Sequence, residues 1–453
     1  MELATRKLLD RSFSGLGFLS IFLMAASLLV ILTPIFVRGM GAIVFKGTVE
    51  FRRMQLERFE RGNREEIGAE VAAAWAARQP VLDMIADFRT ELDEMGIVER
   101  MKYRDALGEI EAALRELFGP FPGEPDPVMP RDQYGQTRWD RTQIQLHHVL
   151  YRTEYDYSDP DRMGVPVDVP RADEFEGTAL EPFFPYVEEH IEEMMRPKLT
   201  LYGGFITDDS IDAHIFGGIW PEVLGTFYLT LGAMLFALPM GVISAIYLVE
   251  YAHEGRFISF LRTCISTLAG VPSIVFALFG LAFFINSLQL TESKSLLAGS
   301  LTLGCLVLPT VIRASEEAIR AVPATYKEAA LSLGASRWRA VVTVILPAAL
   351  PGVLTGTVIS MGRAAGETAP IIFTAAVSVG KPLNLFKAKF WEILSQPTPA
   401  LPWNIYNLAT EHEAVDEIRH VQFGMVFVLV MLVLILNTTA IILRARIAKK
   451  LRG

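Results

Sequence analysis

The feature that most constrains the fold of this chain is a stretch without any charged residue, 15–37, near the start of the sequence. As a helix it is long enough to cross the roughly 30 Å hydrocarbon core of a bilayer. A cleaved signal peptide is the alternative, but the stretch is too long for a signal core and no small-x-small cleavage site precedes Arg38. We therefore predict an uncleaved first membrane span, with the basic tail 1–14 in the cytoplasm.

Five further apolar runs follow in the second half of the chain, and we predict spans at residues 223–251, 257–285, 296–312, 351–376 and 423–443. Gly270 and Pro272 interrupt one of these runs, and such a break must be covered by protein or line a cavity, because lipid cannot satisfy freed backbone groups. Basic residues gather between the fourth and fifth spans and in the tail 444–453, which places both termini in the cytoplasm. The sequence predicts an all-α polytopic membrane protein with six transmembrane helices.

The region 38–219 has a different character, because acidic residues outnumber basic ones there. This explains how a chain with 51% hydrophobic residues and a mean hydropathy of +0.33 has a net charge of −9. Helical periodicity over 49–117 and 186–195 predicts a mainly helical extracytoplasmic domain between the first and second spans, with an interruption at Pro80.

Several polar clusters invite a catalytic or metal-binding interpretation, which their spacing does not favour. None has the H-E-x-x-H, C-x-x-C or EF-hand pattern, and solvated surface is the preferred interpretation. They are His147 with His148, Asp159 with Asp161, Glu188 to Glu193, Asp208 with Asp209, and the helically spaced set His412, Glu413, Asp416 and His420.

Cys264 and Cys305 lie in apolar runs, so no disulfide framework is expected. We predict no catalytic residue, no metal site and no nucleic-acid partner, and interpret the acidic domain as a docking surface for another protein.

The segment 316–347 lies between two apolar spans and has signals for two short helices. Pro323 stands at a helix start and Gly334 just past a helix end, which predicts a helix over residues 324–333. Ser336 is placed to cap a second amphipathic run, which we expect Pro347 to end.

In pattern form this segment reads E-A-A, three residues, G, nine residues, then V-I-L-P. The pattern resembles the cytoplasmic EAA loop of binding-protein-dependent ABC importers, and the resemblance implies that the short helix docks into an ATPase subunit. The residues that carry the pattern are Glu328, Ala329, Ala330, Gly334, Val344, Ile345, Leu346 and Pro347. We assign the coupling to the ATPase to Glu328, Ala329, Ala330, Leu331, Gly334 and Pro347. The two alanines would leave a small face for a partner's backbone, while an ordinary connecting helix is the alternative. No G-x-x-x-x-G-K-[ST] occurs, so we expect ATP and Mg to bind to a separate subunit.

The fifth apolar run contains a charged pair, Arg363 and Glu367, four residues apart. A charge at the centre of a membrane helix costs about 2.5–3.5 kcal/mol, so such residues normally face a pathway or a partner. A self-neutralising pair is the alternative. Arg313, at the inner end of the fourth span, is a second candidate, for which snorkelling to the interface is the alternative.

Two pairs of glycines along the same run have a four-residue spacing, Gly352 with Gly356 and Gly362 with Gly366. Such spacing allows close backbone contact with a neighbouring helix. The neighbour is either a helix of this chain or a second permease subunit.

Four segments together resemble the phosphate ABC transporter permeases, the A subunits of the phosphate-specific transport system, over residues 220–453. They are VPSIV at 271–275, VIR at 311–313, the EAA loop, and RAAGETAP at 363–370. The resemblance implies the type I importer permease fold and a phosphate pathway through Arg313, Arg363, Glu367 and Thr368. The acidic domain resembles the additional N-terminal domain of one branch of the family, but it is far larger than the insertion of compact members and the resemblance implies no role for it.

The same resemblance implies the partners and the location. They are an ATP-binding subunit, a second permease subunit of the C type, an extracytoplasmic phosphate-binding protein, inorganic phosphate and the lipid of a bacterial inner membrane. The predicted function is a transport subunit, not an enzyme. Two alternatives stay open: a permease for sulfate, molybdate or another oxyanion, and a membrane-tethered receptor or enzyme whose working part is the domain 38–219.

Overall fold

The computed structural model describes residues 3–125, 127–156, 164–378, 380, 389–411 and 417–452. The chain divides into two compact units. The membrane unit comprises Met1–Ala42 and Gly203–Gly453, and the acidic unit is Ile43–Tyr202. The compact acidic unit lies within the predicted domain 38–219, and residues 203–219 cluster with the membrane unit. A Cβ added to Gly424, for example, would lie 2.5 Å from Phe205 Cζ.

The membrane unit opens with α1, Leu3–Met40. The acidic unit follows and is mainly helical, with α2 Val49–Phe59, α3 Arg64–Glu94, α4 Ile97–Phe118, α5 Pro130–Gln133, α6 Trp139–Leu150, the 3₁₀ turn Arg171–Phe175, and α7 Phe183–Met195. Two antiparallel strand pairs complete it: β1 Val44–Gly47 with β4 Lys198–Leu201, and β2 Tyr151–Asp156 with β3 Val165–Pro170. The apolar faces of α3, α4, α6 and α7 form one core.

The interruption predicted at Pro80 is wrong, because α3 runs through this residue without a break. A proline removes only one backbone hydrogen bond from a helix. The buried stripe of Ala74, Val81, Ile85 and Phe88 keeps its helical spacing on both sides, and burial of this stripe compensates the loss.

An ion pair lies at the centre of the acidic unit. The side chains of Arg78 and Glu50 are each 1% exposed, and Arg78 Nη1 lies 2.9 Å from Glu50 Oε1. The guanidinium also donates to the backbone oxygens of Met194 and Phe118. Burial lowers the pKa of Arg78, and the charge of Glu50 opposes that effect.

The membrane unit continues after Tyr202 with short elements and then long helices. They are α8 Gly204–Thr207, β5 Ser210–Ile211, β6 Phe216–Gly217, α9 Trp220–Ile246, α10 Arg256–Ala269, α11 Ser273–Gly280, α12 Leu296–Arg320, α13 Ala324–Ser332, α14 Arg337–Ala340, α15 Leu346–Gly366, α16 Ala369–Thr374, α17 Phe390–Ser395, α18 Leu401–Thr410 and α19 Arg419–Arg452. π-Helical turns occupy Tyr247–Tyr251, Leu281–Ser287 and Val341–Ile345. Helix α12 is central and packs against α9, α15 and α16.

Within the described residues, five helical stretches are long and apolar enough to cross a membrane: Ser12–Met40, Trp220–Tyr251, Leu296–Arg320, Arg337–Gly366 and Arg419–Lys449. A sixth candidate is the pair Arg256–Ala269 and Ser273–Ser287, which is bent by 99° at the predicted Gly270 and Pro272 interruption. The prediction of an all-α polytopic membrane protein is confirmed.

Two predicted helix ends differ from the structure. Pro347 does not end a helix, because it lies in the first turn of α15. The preceding π-helical turn lets the N–H of Leu346 bond to Val341 O, one residue further back than in an α-helix, and the proline then follows where the helix can accept a missing donor. The fifth span, predicted to reach residue 376, stops at Gly366.

Candidate functional site

Close packing of α15 against α12 fixes the position of the predicted site. A Cβ added to Gly352 would lie 2.7 Å from Ala318 Cβ, and one added to Gly356 would lie 2.1 Å from Ala314 Cβ. The neighbour of these two glycines is thus a helix of the same chain. Gly362 approaches Asn437 of α19, with 3.4 Å from an added Cβ to Nδ2, whereas Gly366 has open space around it.

The helix stops in the middle of the RAAGETAP segment. Glu367 has the extended backbone angles φ −80° and ψ 125°, and α16 begins two residues later. Thr368 bridges the break, since its carbonyl oxygen accepts from the N–H groups of Ile371 and Ile372, at 3.2 Å each. Its hydroxyl Oγ1 lies 3.5 Å from Pro402 O at the start of α18. The break is therefore held from the side of α18.

The structure brings the predicted pair together across this break. Arg363 Nε lies 3.3 Å from Glu367 Oε1, and the two side chains are 38% and 22% exposed. Because Glu367 has left the helix, the contact is a single long hydrogen bond rather than a two-point fork. Among the described residues, the terminal nitrogens of this guanidinium have no hydrogen-bond acceptor.

Arg313 lies apart from this pair. The contacts of Gly352 with Ala318 and Gly356 with Ala314 define an antiparallel register that puts residue 307 of α12 level with Arg363. Arg313 is six residues further along, roughly 9 Å by the rise of an α-helix. Its Nη2 donates to Arg262 O at 3.3 Å. The two arginines are separate positions along the helices.

The EAA segment has the predicted turn. Gly334 has φ +82°, a conformation that favours glycine, and Ser336 Oγ accepts the N–H of Arg339 at 3.3 Å as a helix cap. Helix α13 ends at Ser332, one residue earlier than predicted. Ala330 is only 8% exposed, so the small face available to a partner is formed by Ala329 and not by both alanines.

Four large apolar side chains of the same segment are exposed, although the sequence pattern did not single out three of them: Tyr326, Leu331, Leu333 and Trp338. Leu333 is the extreme case, at 89% exposed. Glu328 is exposed beside them. Several exposed apolar side chains within one short segment, with a charge beside them, are typical of a protein interaction site.

Helix α13 is tied to the end of α9. Lys327 Nζ lies 2.5 Å from Glu250 Oε2, as an ion pair rather than a well-aligned hydrogen bond. The guanidinium of Arg337 lies 5.4 Å from the ring centroid of Tyr251. Beneath them, Ile246 and Ile345 belong to one apolar cluster. The EAA segment thus contacts both α9 and the start of the α15 span.

The polar clusters have separate outcomes. The described residues contain no group of three or more His, Cys, Asp or Glu arranged to hold a metal ion. Residues 412–416 and 157–163 lie outside the described residues, and they include His412, Glu413, Asp416, Asp159 and Asp161 of the predicted surface clusters. Solvated surface was the wrong interpretation for Asp208, which is buried. Burial raises the pKa of its neighbour Asp209, and the charges of Glu222 and Asp208 add to that effect.

Three buried polar residues that no sequence pattern predicted meet at the start of α9: His214, Glu222 and Asn404. The only available signal was Glu222 itself, a lone acid in the first turn of an otherwise apolar run. Its partners are eight and 182 residues away, so no local pattern connects them.

Comparisons with known proteins place the chain in a class. A family model described as binding-protein-dependent transport system inner membrane component matches residues 237–453. YqgI of Bacillus subtilis strain 168, named a probable ABC transporter permease protein, is 36% identical over 261 residues, which are 54% of this chain and 84% of that protein. Among solved structures, a chain of the inward-facing MetNI methionine ABC transporter aligns at a TM-score of 0.37 and 18% identity, over 51% of this chain and 94% of that chain.

These sequence relatives define a membrane transport component, the permease of an ABC transporter. A second relative, PstA 1 of Mycobacterium tuberculosis strain CDC 1551 / Oshkosh, is named a phosphate transport system permease protein and is 34% identical over 228 residues, 50% of this chain and 71% of that protein. The chain belongs to the family of binding-protein-dependent ABC transporter permeases.

Proposed function

We propose that this chain is the permease subunit of an ATP-driven importer that moves inorganic phosphate across the cytoplasmic membrane by alternating access. The relatives named for phosphate transport support the substrate. The structural observation that carries the proposal is the Arg363–Glu367 pair at the point where α15 stops inside an apolar span.

The chemistry of this pair suits a phosphate anion. Phosphate loses strong hydration when it enters a narrow route, and an arginine can replace part of that hydration with two parallel hydrogen bonds. Arg363 is held through Nε alone in the part of the chain that the structure describes. Glu367 then holds the guanidinium until phosphate competes for it. We assign Arg363, Glu367 and Thr368 to this position and Arg313 to a second one nearer the EAA segment.

Coupling to ATP uses the opposite end of the same helices. The exposed apolar surface of Tyr326, Leu331, Leu333 and Trp338 docks on a separate ATP-binding subunit, which binds ATP and Mg. Gly334 sets the angle of the loop, and the Lys327–Glu250 pair passes its movement to α9. Glu328 and Ala329 lie in the docking surface, whereas Ala330 and Pro347 support it from within.

The charge distribution supports an orientation in the membrane, and the orientation is consistent with the remaining partners that we propose. Arg320, Lys327, Arg337 and Arg339 surround the EAA segment, which indicates the cytoplasmic side, with both termini on that side. The acidic unit then lies outside the membrane, on the side where a phosphate-binding protein delivers its ligand. A second permease subunit, of the C type, completes the route.

The experiment that tests this function is ATP-dependent uptake by the purified transporter in proteoliposomes. Radiolabelled phosphate, sulfate and molybdate are compared at equal concentration with the matching binding protein supplied. We expect phosphate to accumulate and unlabelled phosphate to compete far better than sulfate. Accumulation of sulfate or molybdate in place of phosphate would assign the permease to another oxyanion.

A further inference from the structure

The first turn of α9 contains a fully buried carboxylate. Glu222 is 0% exposed, and its Oε1 accepts Asn404 Nδ2 at 3.0 Å and lies 2.9 Å from His214 Nε2. The three residues come from the loop before α9, from α9 itself and from α18. We call them the buried triad.

The buried triad is not a saturated network. Glu222 Oε2 and Asn404 Oδ1 are both buried and have no hydrogen-bond partner among the described residues. The backbone around it is also strained, because Asp212, Ala213 and His214 all have positive φ, at 51°, 51° and 74°. Buried polar groups without partners are costly, and strained non-glycine residues persist only where the surroundings impose them. Apolar packing would be a cheaper solution for stability alone.

A second set of contacts joins the same two helices. The N–H of Leu401, at the start of α18, donates to Thr226 Oγ1 at 2.9 Å, and that hydroxyl donates to Glu222 O at 2.8 Å. Gly225 lies against the preceding residues so closely that an added Cβ would meet Pro399 O at 1.9 Å. The start of α18 is therefore seated on the first two turns of α9.

Helix α18 and the residues before it also contact both ends of the segment 367–375, which contains the break after α15 and helix α16. Thr368 Oγ1 lies 3.5 Å from Pro402 O, and the N–H of Thr398 donates to Ala375 O at 3.1 Å. The segment from Glu367 to Ala375 is thus held at its beginning and at its end by one element. A displacement of α18 moves the segment that positions Glu367.

We propose that His214, Glu222 and Asn404 are positioning residues for the anion route. They hold α18 on α9, and α18 holds Thr368 and α16, so that Glu367 keeps its place beside Arg363. The charge of Glu222 also acts on a residue outside the triad, because it contributes to the raised pKa of Asp209. This proposal rests on the proposed function only in naming the route that the triad serves.

The test uses three variants of the full transporter. Asn404→Asp puts a second carboxylate against Glu222 in the buried site and should repel it. Glu222→Gln combined with Asn404→Asp exchanges the amide and the carboxylate, so that one charge and one amide are again paired. Asn407→Asp is the matched control, because this residue lies on the same helix and donates instead to the exposed Glu411 at 2.9 Å.

Two readouts decide the proposal. Hydrogen exchange at Ala369–Thr374 should rise about tenfold in Asn404→Asp, within the 5–150-fold range of couplings between sites. Phosphate transported per ATP hydrolysed should fall by a similar factor, and the exchanged pair should restore both values. Asn407→Asp should change neither. A merely structural role would reduce the amount of assembled transporter and leave the transport ratio of the assembled fraction unchanged.

Either of two results would overturn the proposal: unchanged exchange at α16 in Asn404→Asp, or raised exchange with an unchanged transport ratio. If the unmodified transporter fails to accumulate phosphate, the proposed function fails by itself. The exchange measurement needs no substrate and still decides whether the triad positions α16.

Discussion

The acidic unit and the membrane unit both bury charged side chains, but they satisfy them differently. In the acidic unit, the guanidinium of Arg78 bonds to Glu50 and to two backbone oxygens, and both side chains are 1% exposed. In the membrane unit, the buried Glu222 has an oxygen without a partner among the described residues, and the more exposed Arg363 has one contact there, at 3.3 Å. A saturated ion pair fixes a structure, whereas an unsaturated one keeps bonding capacity for a ligand or a movement.

The largest effect should come from breaking the saturated pair. Arg78→Met leaves Glu50 buried without its main counter-charge, and we expect the acidic unit to lose about 3–5 kcal/mol of stability. Hydrogen exchange of α3 and α7 in the full chain measures this loss. The control is Arg89→Met, which removes a more exposed pair with Glu111 worth about 0–1 kcal/mol. An equal loss of stability in both variants would show that the buried Arg78–Glu50 pair contributes no more than the exposed Arg89–Glu111 pair.

Arg363→Gln in the membrane unit should reduce phosphate uptake rather than stability. Hydrogen bonds to a charged group contribute about 1.5–3 kcal/mol each, so loss of two to phosphate should reduce uptake by roughly a hundredfold or more. Arg363→Lys, which keeps the charge without the fork, should be intermediate. Thermal stability of the assembled transporter should change little. Normal uptake by Arg363→Gln would take this arginine out of the route.

A smaller effect is expected at the EAA turn. Gly334 has open space where a Cβ would stand, so any effect of substitution is conformational. A β-branched residue pays about 1–2 kcal/mol in the left-handed region, whereas asparagine tolerates it. Gly334→Val should therefore reduce phosphate transported per ATP by roughly tenfold, and Gly334→Asn should stay near the unmodified value. Equal coupling in both variants would argue against a role for the turn.

The smallest effect is expected for the ion pair between α13 and α9. The side chains of Lys327 and Glu250 are 31% and 8% exposed, and partly exposed pairs contribute about 0.2–1 kcal/mol. Glu250→Gln should lower the coupling ratio by roughly two- to fivefold. The reversed pair, Glu250→Lys with Lys327→Glu, should recover part of it. No recovery would show that the two residues act independently.

Local patterns predicted much of the membrane unit. Apolar length identified the spans, and a glycine with polar caps located the EAA turn at Gly334 and the cap at Ser336. The four-residue spacing of Arg363 and Glu367 predicted their contact. Each of these features depends on residues only a few positions apart, so the spacing of residue types in the sequence is enough to predict it.

The errors arose where distant contacts override local signals. Pro80 and Pro347 lie inside helices, because burial on both sides or a π-helical turn compensates the missing donor. Ala330 is covered by the protein itself, and Asp208 is buried although its type favours the surface. The pairing of Glu222 with Asn404 spans 182 residues and has no local signature.

The central claim, that an anion passes the Arg363–Glu367 break, is tested most directly by labelling a cysteine placed there. Gly366→Cys fits because the position is open, and the native thiols are removed by Cys264→Ser and Cys305→Ala. A negatively charged, membrane-impermeant thiol reagent is applied to the working transporter with phosphate or with sulfate. We expect phosphate to slow the labelling and sulfate to leave its rate unchanged. Labelling at the same rate with both anions and with neither would contradict it.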